Sequence, residues 1–148
     1  MTKATISVIA APYGSDLYRR SVALRQEILR RPLGLTLSKK ELADDRQRLH
    51  FCAVADEGVI GTVSLRPLDT RKVQLKQMAV ATNRRGANIG VRLLGYAEDW
   101  ARRKGFSLIV LHARVGAEGF YAKFGYASEG GVFQENTIPH IKMTKRLT

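Results

Sequence analysis

The chain has 148 residues, close to the roughly 150 expected of one globular domain built around a single hydrophobic core. Hydrophobic residues make up 45% and charged residues 26%, which excludes a disordered or low-complexity chain. Lys and Arg number 25 against 13 Asp and Glu, a net charge of +12, and such an excess suits nucleic acid, an anionic surface or a phosphate-rich small molecule as partner, or serves solubility alone.

Residues 5–11 are rich in β-branched side chains and stop at Pro12-Tyr13-Gly14, which predicts a first strand and a turn. Ser15 or Asp16 then caps a helix over 16–31, with Leu17, Ser21, Leu24 and Ile28 on one face and Pro32 as its stop. Ser38 and Glu41 have capping-box spacing and predict a short second helix before the polar Asp44-Asp45-Arg46. Residues 50–55 and 59–65 read as strands joined by a hairpin turn at Asp56-Glu57-Gly58, and residues 73–81 complete an antiparallel meander of three strands.

Residues 86–104 carry Ile89, Leu93, Ala97, Trp100 and Ala101 at helical spacing, with Glu98 and Asp99 each four residues before an arginine and Gly105 as terminator. The continuous apolar run at 108–111 predicts a central parallel strand over 107–113. A short helix over 116–124 and two strands near 126–133 and 138–145 follow. The predicted fold is a single α/β domain of the α+β type over 1–148, a mostly antiparallel twisted sheet of six to seven strands flanked by about four helices.

Cys52 is the only cysteine, so no internal disulfide and no multi-cysteine zinc site is available, and a reducing compartment fits. The apolar run at 6–11 is short for a signal-peptide core and no run approaches ~18 apolar residues. The expectation is a cytoplasmic protein with no membrane partner.

The most informative stretch runs from Met78 to Leu93, where a predicted strand leads through a basic, glycine-containing loop into a long helix. Unpaired N–H groups and aligned peptide dipoles at a helix start attract anions, and a pyrophosphate fits such a place. Gly86 and Gly90 let phosphate oxygens approach the backbone, and Arg84, Arg85 and Arg92 could add charge. A P-loop would need Gly-Lys-Ser/Thr here and a dinucleotide fingerprint three glycines, so neither fits.

This segment resembles the GNAT superfamily of acyl-CoA-dependent N-acyltransferases, in which a strand feeds an Arg/Gln-x-x-Gly-x-Gly/Ala loop around the CoA pyrophosphate. The match is Arg85-Gly86-Ala87-Asn88-Ile89-Gly90, with Asn88 where the middle glycine is usual; Asn tolerates left-handed backbone well. Ala117 to Tyr126 is similar to the Ala-x-x-Phe-Tyr-x-Lys-x-Gly-Phe/Tyr signature, and Glu135 to Met143 to the acidic-x-x-Ile-Pro-His-x-x-Met tail of one bacterial branch. The likeness runs from about Leu24 to the C-terminus, with its strong motifs in residues 78–143.

The resemblance implies a splayed pair of parallel strands, with a bulge at Gln77-Met78-Ala79-Val80 whose freed backbone groups bind the pantetheine arm and polarise the thioester. It implies acetyl-CoA as cosubstrate, an amine acceptor and Tyr121 as the general acid on the CoA sulfur, although the Phe120-Tyr121 pair also suits plain core packing. The base is open. Some relatives use a strand glutamate where this chain has Gln74 and Gln77, so the proton would leave through water, Glu135 or His140.

His112 ends the central strand and could face the same site, and His50 has no supporting context. The three histidines lack ligand spacing, so no metal is expected. Gly116 stands where many relatives have a cofactor-binding asparagine, Arg114 and Lys123 suit either phosphate or solvent, and Cys52 reads as a small core residue. Edge-strand dimers are common in the family, and a homodimer is implied only on that ground. Two other readings are a CoA-responsive module without turnover and, ranking last, a basic nucleic-acid-binding domain, which would show steep salt dependence. The acceptor could be a metabolite, a peptide N-terminus or a lysine; the positive charge speaks against a polyamine unless Glu41, Asp44 and Asp45 cluster at the mouth.

Overall fold

A computed structural model describes residues 5–148 of the chain. Seven strands, β1 (Ser7–Ala10), β2 (Leu49–Ala55), β3 (Gly58–Pro67), β4 (Lys72–Val80), β5 (Leu108–Arg114), β6 (Ala127–Glu135) and β7 (Ile138–Arg146), form one sheet in the order β1-β2-β3-β4-β5-β7-β6. Among the described residues only β4 and β5 are parallel; every other pair is antiparallel. Four α-helices accompany it: α1 (Asp16–Arg25), α2 (Lys39–Asp44), α3 (Ile89–Arg103) and α4 (Glu118–Ala122). Element order agrees with the predicted order throughout. No helix among the described residues is long and apolar enough to cross a membrane.

Several boundaries differ from those predicted. The first helix is α-helical only to Arg25; a π-helical turn, Gln26–Arg30, and a 3-10 turn, Arg31–Leu33, carry the chain past Pro32, which fits because proline is tolerated in a first turn. The third helix starts at Ile89 rather than Gly86, since Gly86 (φ 87°) and Asn88 (φ 59°) are left-handed. The strands of the last hairpin reach Glu135 and, through pairing with β5, Arg146, longer than apolar content alone suggests. Gly58 and Gly105 adopt the positive φ that their turn and cap positions called for.

The two faces of the sheet are chemically different. One carries α3, whose Ile89, Leu93, Leu94, Ala97 and Ala101 are buried on Val63, Leu65, Leu75, Ile109, Leu111 and Met143. Gly61 of β3 is needed there: a Cβ at this position would lie 2.7 Å from Ile89 Cγ2 and 3.0 Å from Leu93 Cδ1. Gly61→Ala is therefore expected to cost about 1–3 kcal/mol through overpacking, read as a lower urea midpoint at unchanged slope. The other face, under α1, is polar, with Ser21, His50, Thr62 and Ser64 buried and hydrogen-bonded.

Candidate active site

The sheet opens at one place. β4 and β5 pair only from Lys72↔Leu108 to Leu75↔Leu111, whereas β5 continues to pair with β7 as far as Arg114↔His140. The cause is a bulge in β4: Thr62 faces Ala79 and Ser64 faces Lys76, so Gln77 and Met78 together oppose Val63. Gln77 takes up the extra length with φ 55°. Beyond it the β4 edge has no strand partner on the β5 side, and its backbone groups face a cleft of about 1000 Å³.

Tyr121 and His140 both line this cleft, together with Met78, Ala79, Val80, Arg85, Gly86, Asn88, Ile89 and Gly90. Of the predicted loop residues only Ala87 does not. No side chain caps the start of α3, so its first N–H groups are available to an anion. Asn88 adopts the left-handed conformation (φ 59°) that a glycine would otherwise supply. Gly90 also has a packing reason: a Cβ there would meet Phe120 Cζ at 3.3 Å and Met78 Sδ at 3.5 Å.

The basic side chains around the loop divide. Arg84 forks onto Glu57 of the β2–β3 turn, with Nε 2.7 Å from Oε2, and Arg92 donates to the Ile6 carbonyl at 2.7 Å. Both serve as struts, and among the described residues Arg85 alone of the three predicted arginines makes no ion pair or side-chain hydrogen bond. Arg114 donates to the Leu29 carbonyl at 3.3 Å, behind α1, and the Gly116 N–H is taken by the Glu118 carboxylate.

Tyr121 stacks edge-on against Phe120 and Tyr126, at centroid distances of 5.0 and 5.8 Å. Burial pushes its phenol above the ordinary tyrosine value, so the hydroxyl keeps its proton at neutral pH. Tyr126, by contrast, spends its hydroxyl on Glu98 Oε2 at 2.8 Å. Glu98 also receives Lys145 at 2.9 Å and lies 3.7 Å from Arg102, so the predicted helix pair is the weakest of its three contacts.

β5, β6 and β7 bring together three groups that sequence spacing kept apart. His112 Nδ1 lies 3.1 Å from Glu135 Oε1, and His140 Nε2 lies 3.6 Å from Glu135 Oε2, with Phe133 against both imidazoles. His140 Nδ1 is 2.8 Å from the Ile138 carbonyl. A carbonyl only accepts, so Nδ1 carries the hydrogen and neutral His140 turns the bare Nε2 toward the carboxylate. In that neutral form Nε2 and the Glu135 carboxylate are both acceptors, and a donor such as an ammonium group would bridge the notch between them. Among the described residues no three His, Cys, Asp or Glu are arranged to hold a metal ion.

A second polar chain buttresses the bulge. The Gln77 amide accepts from Arg48 at 3.2 Å and donates to Glu41 at 3.0 Å, and Glu41 receives Arg30 at 2.6 Å. Burial works against the Glu41 carboxylate, but Arg30 and the Ser38 and Gln77 hydrogen bonds hold it below the usual value. Arg48, Glu41 and Lys76 were not singled out as site residues by sequence, because only the bulge and the splay bring them to one cleft; the capping box at Ser38 and Glu41 was the one visible sign. His50 is structural, its Nε2 on the Asp45 carbonyl at 2.9 Å. Cys52 is fully buried, and burial pushes its thiol up to about 11, unsuited to carry an acyl group.

Known proteins share this fold. A protein from Lactobacillus plantarum is 24% identical and superimposes with a TM-score of 0.86 over 97% of this chain and 99% of its own. A GNAT family acetyltransferase from Elizabethkingia anophelis with acetyl-CoA bound is 21% identical, with a TM-score of 0.74 over 96% of this chain and 98% of its own. Both show the likeness of fold. Among curated proteins, the Xenopus tropicalis protein named probable N-acetyltransferase 14 is 39% identical over 57% of this chain and 44% of its own length. The Bacillus subtilis protein YyaT is 31% identical over 51% of each; the chain thus spans about half the length of these curated relatives. The family model of the acetyltransferase (GNAT) family matches residues 17–126. That match covers well over half of the sequence and includes the bulged strand, the 85–90 loop and Tyr121: the chain belongs to the GNAT family of acetyltransferases.

Proposed function

We propose that the chain is an N-acetyltransferase that passes the acetyl group of acetyl-CoA directly to a primary amine in a ternary complex. The observation that carries this reading is the bulge at Gln77, which opens a cleft between the uncapped start of α3 and the Tyr121 hydroxyl. Acetyl-CoA supplies a thioester-activated acetyl group; the α3 amides and Arg85 receive its pyrophosphate, and the open β4 edge from Met78 to Val80 receives the pantetheine arm and polarises the carbonyl.

The ammonium of the acceptor settles between Glu135 Oε2 and His140 Nε2 and yields a proton to Nε2. The free amine attacks the carbonyl carbon and the C–N bond forms; as the C–S bond breaks, Tyr121 protonates the departing thiolate, and the second proton shed by the former amine nitrogen returns through water to the Tyr121 phenolate, so that His140 holds the one net proton released to solvent. Glu135 acts as a positioning residue that His112 steadies from its other oxygen. Likeness to the Ile-Pro-His tail of one bacterial branch adds weight to the role of His140. A cytoplasmic location, on the sequence grounds given above, and a homodimer, on family resemblance alone, remain part of this reading.

A module that binds CoA without turnover is the second reading, and one observation favours it: the Gln77 amide stands where some relatives have a basic glutamate and is locked between Arg48 and Glu41. Calorimetric titration at physiological salt, with ATP as a polyanion control, tests the cofactor site. Micromolar acetyl-CoA binding is expected, lost in the Arg85→Ala, Gly90→Glu double variant, whose side chain at 90 would collide with Phe120. Equal and weak binding of both nucleotides would reduce the loop to a basic surface, while binding without CoA release in the presence of any amine would favour the module.

A further inference from the structure

The acceptor side of the cleft carries more positive charge than its own acids answer. Its walls include Arg30, Arg48, Lys76 and Arg114 against Glu41, Asp44 and Glu135. Glu41 is occupied by Arg30 and Gln77. Asp45 is fully buried, with Arg25 at 2.9 Å and Arg48 at 3.5 Å, so it cannot reach a ligand. The cluster of acids that a polyamine would need at the mouth is therefore already spent, with Asp44 alone left over.

Two of the cations have no counter-ion. Among the described residues, neither Lys76 nor Arg114 has a carboxylate within 4.0 Å, and Arg114 uses its guanidinium only on the Leu29 carbonyl. Both stand beside the ammonium notch. Arg114 is the direct cross-strand partner of His140, which places their Cβ atoms about 5 Å apart on the same face. Lys76 is the first residue past the last β4–β5 pair, across the splay from His112. Burial and then the neighbouring Arg48 push the Lys76 ammonium below its ordinary value, while Glu135 pulls it the other way. A half-buried cation in such a setting gains most from an anion that arrives with the ligand.

We propose that the acceptor is a zwitterionic amine with a carboxylate close to its amino group, as in an amino acid: the ammonium on Glu135 and His140, the carboxylate on Arg114 and Lys76. The inference rests on the acetyl-transfer reading of the cleft and narrows its acceptor. The short Cβ separation of Arg114 and His140 selects compounds whose two charges are near neighbours. An isolated amine leaves the two cations unanswered, and a polyamine adds to them, so both are rejected by the same charges that hold the carboxylate.

The test pairs each common amino acid with its carboxamide and its decarboxylated amine. Two readouts are taken: CoA thiol release with acetyl-CoA, and binding of the same compounds by calorimetry to the protein saturated with unacylated CoA. The carboxamide is the less basic amine and holds more free base at neutral pH, so the comparison is biased against the proposal. At least one amino acid is expected to exceed both of its partners about tenfold or more in kcat/KM and in affinity. In Arg114→Gln and, independently, Lys76→Met that preference falls toward unity while acetyl-CoA affinity is retained; two variants are used because Arg114 also braces Leu29.

Equal or weaker use and binding of the carboxylate members across the panel would overturn the proposal, as would a preference that survives both substitutions. Preferential binding of an amino acid with no CoA release for any compound would instead overturn the transferase reading and leave the zwitterion site standing. Ethanolamine phosphate beside ethanolamine separates the two anion types: a preference confined to the phosphate pair would reject the carboxylate.

Discussion

Replacing Asp45 with alanine is expected to lower the free energy of unfolding by about 3–5 kcal/mol. The carboxylate is fully buried and collects the Tyr18 hydroxyl at 2.6 Å, Arg25 at 2.9 and 3.3 Å and Arg48 at 3.5 Å, while its own backbone carbonyl accepts from His50. Arg25 is 1% and Arg48 6% exposed. Removing the one acid between them leaves two guanidinium groups that can neither ionise away nor reach water. Their Nε atoms already lack partners, so the site has no slack.

The neutral Asp45→Asn should fall between wild type and alanine, since it keeps the shape and one acceptor. A combined Arg25→Met, Asp45→Leu variant should recover part of the loss, because exchanging the ion pair for apolar volume avoids the stranded charge. Urea unfolding of the four proteins checks the order. If Asp45→Ala costs less than about 1 kcal/mol, the value typical of an exposed pair, the cluster is hydrated rather than buried. The same substitution reaches the cleft, because Arg48 links Asp45 to Gln77 and Gln77 links onward to Glu41. A shift in the bulge, and with it weaker acetyl-CoA binding, is expected beside the loss of stability.

What could be read from the sequence follows from what is local. The order of strands and helices was legible because hydrophobic period and turn chemistry are properties of short windows: α3 shows its buried stripe in the spacing of Ile89, Leu93, Ala97 and Ala101. That the 85–90 loop and Tyr121 belong to one cleft was legible because each lies in a contiguous motif. The notch was not. His112, Glu135 and His140 meet only through the β5–β7 and β6–β7 registers, and a slip of one residue in either would turn one of them to the opposite face.

Charge partners were hidden for the same reason. Arg84 and Arg92 were expected to add charge beside Gly86 and Gly90, but their engagement by Glu57 and the Ile6 carbonyl, distant in sequence, left no local sign. Asp45, placed by sequence among acids that could crowd the cleft mouth, is an interior hub instead. Gln77 was noted for the carboxylate it lacks; its left-handed backbone and its grip on Arg48 and Glu41 depend on a bulge that side-chain pattern does not encode.

Tyr121→Phe is expected to lower kcat by about 10²- to 10⁴-fold, the usual worth of a positioned proton donor, with acetyl-CoA affinity and thermal midpoint nearly unchanged. The substitution removes one oxygen and keeps the ring contacts with Phe120 and Tyr126, so packing alone predicts no loss of rate. Because burial raises the phenol above its ordinary value, the wild-type rate should show no decline from Tyr121 ionisation as pH rises through neutrality and into the mildly alkaline range. A leaving-group series isolates the proton itself: a thiolate of low basicity departs without help, so the gap between wild type and Tyr121→Phe should narrow as acetyl donors with more acidic thiols are used. A gap that stays constant along the series would assign Tyr121 to holding the donor rather than protonating it, and an unchanged kcat would return it to the core.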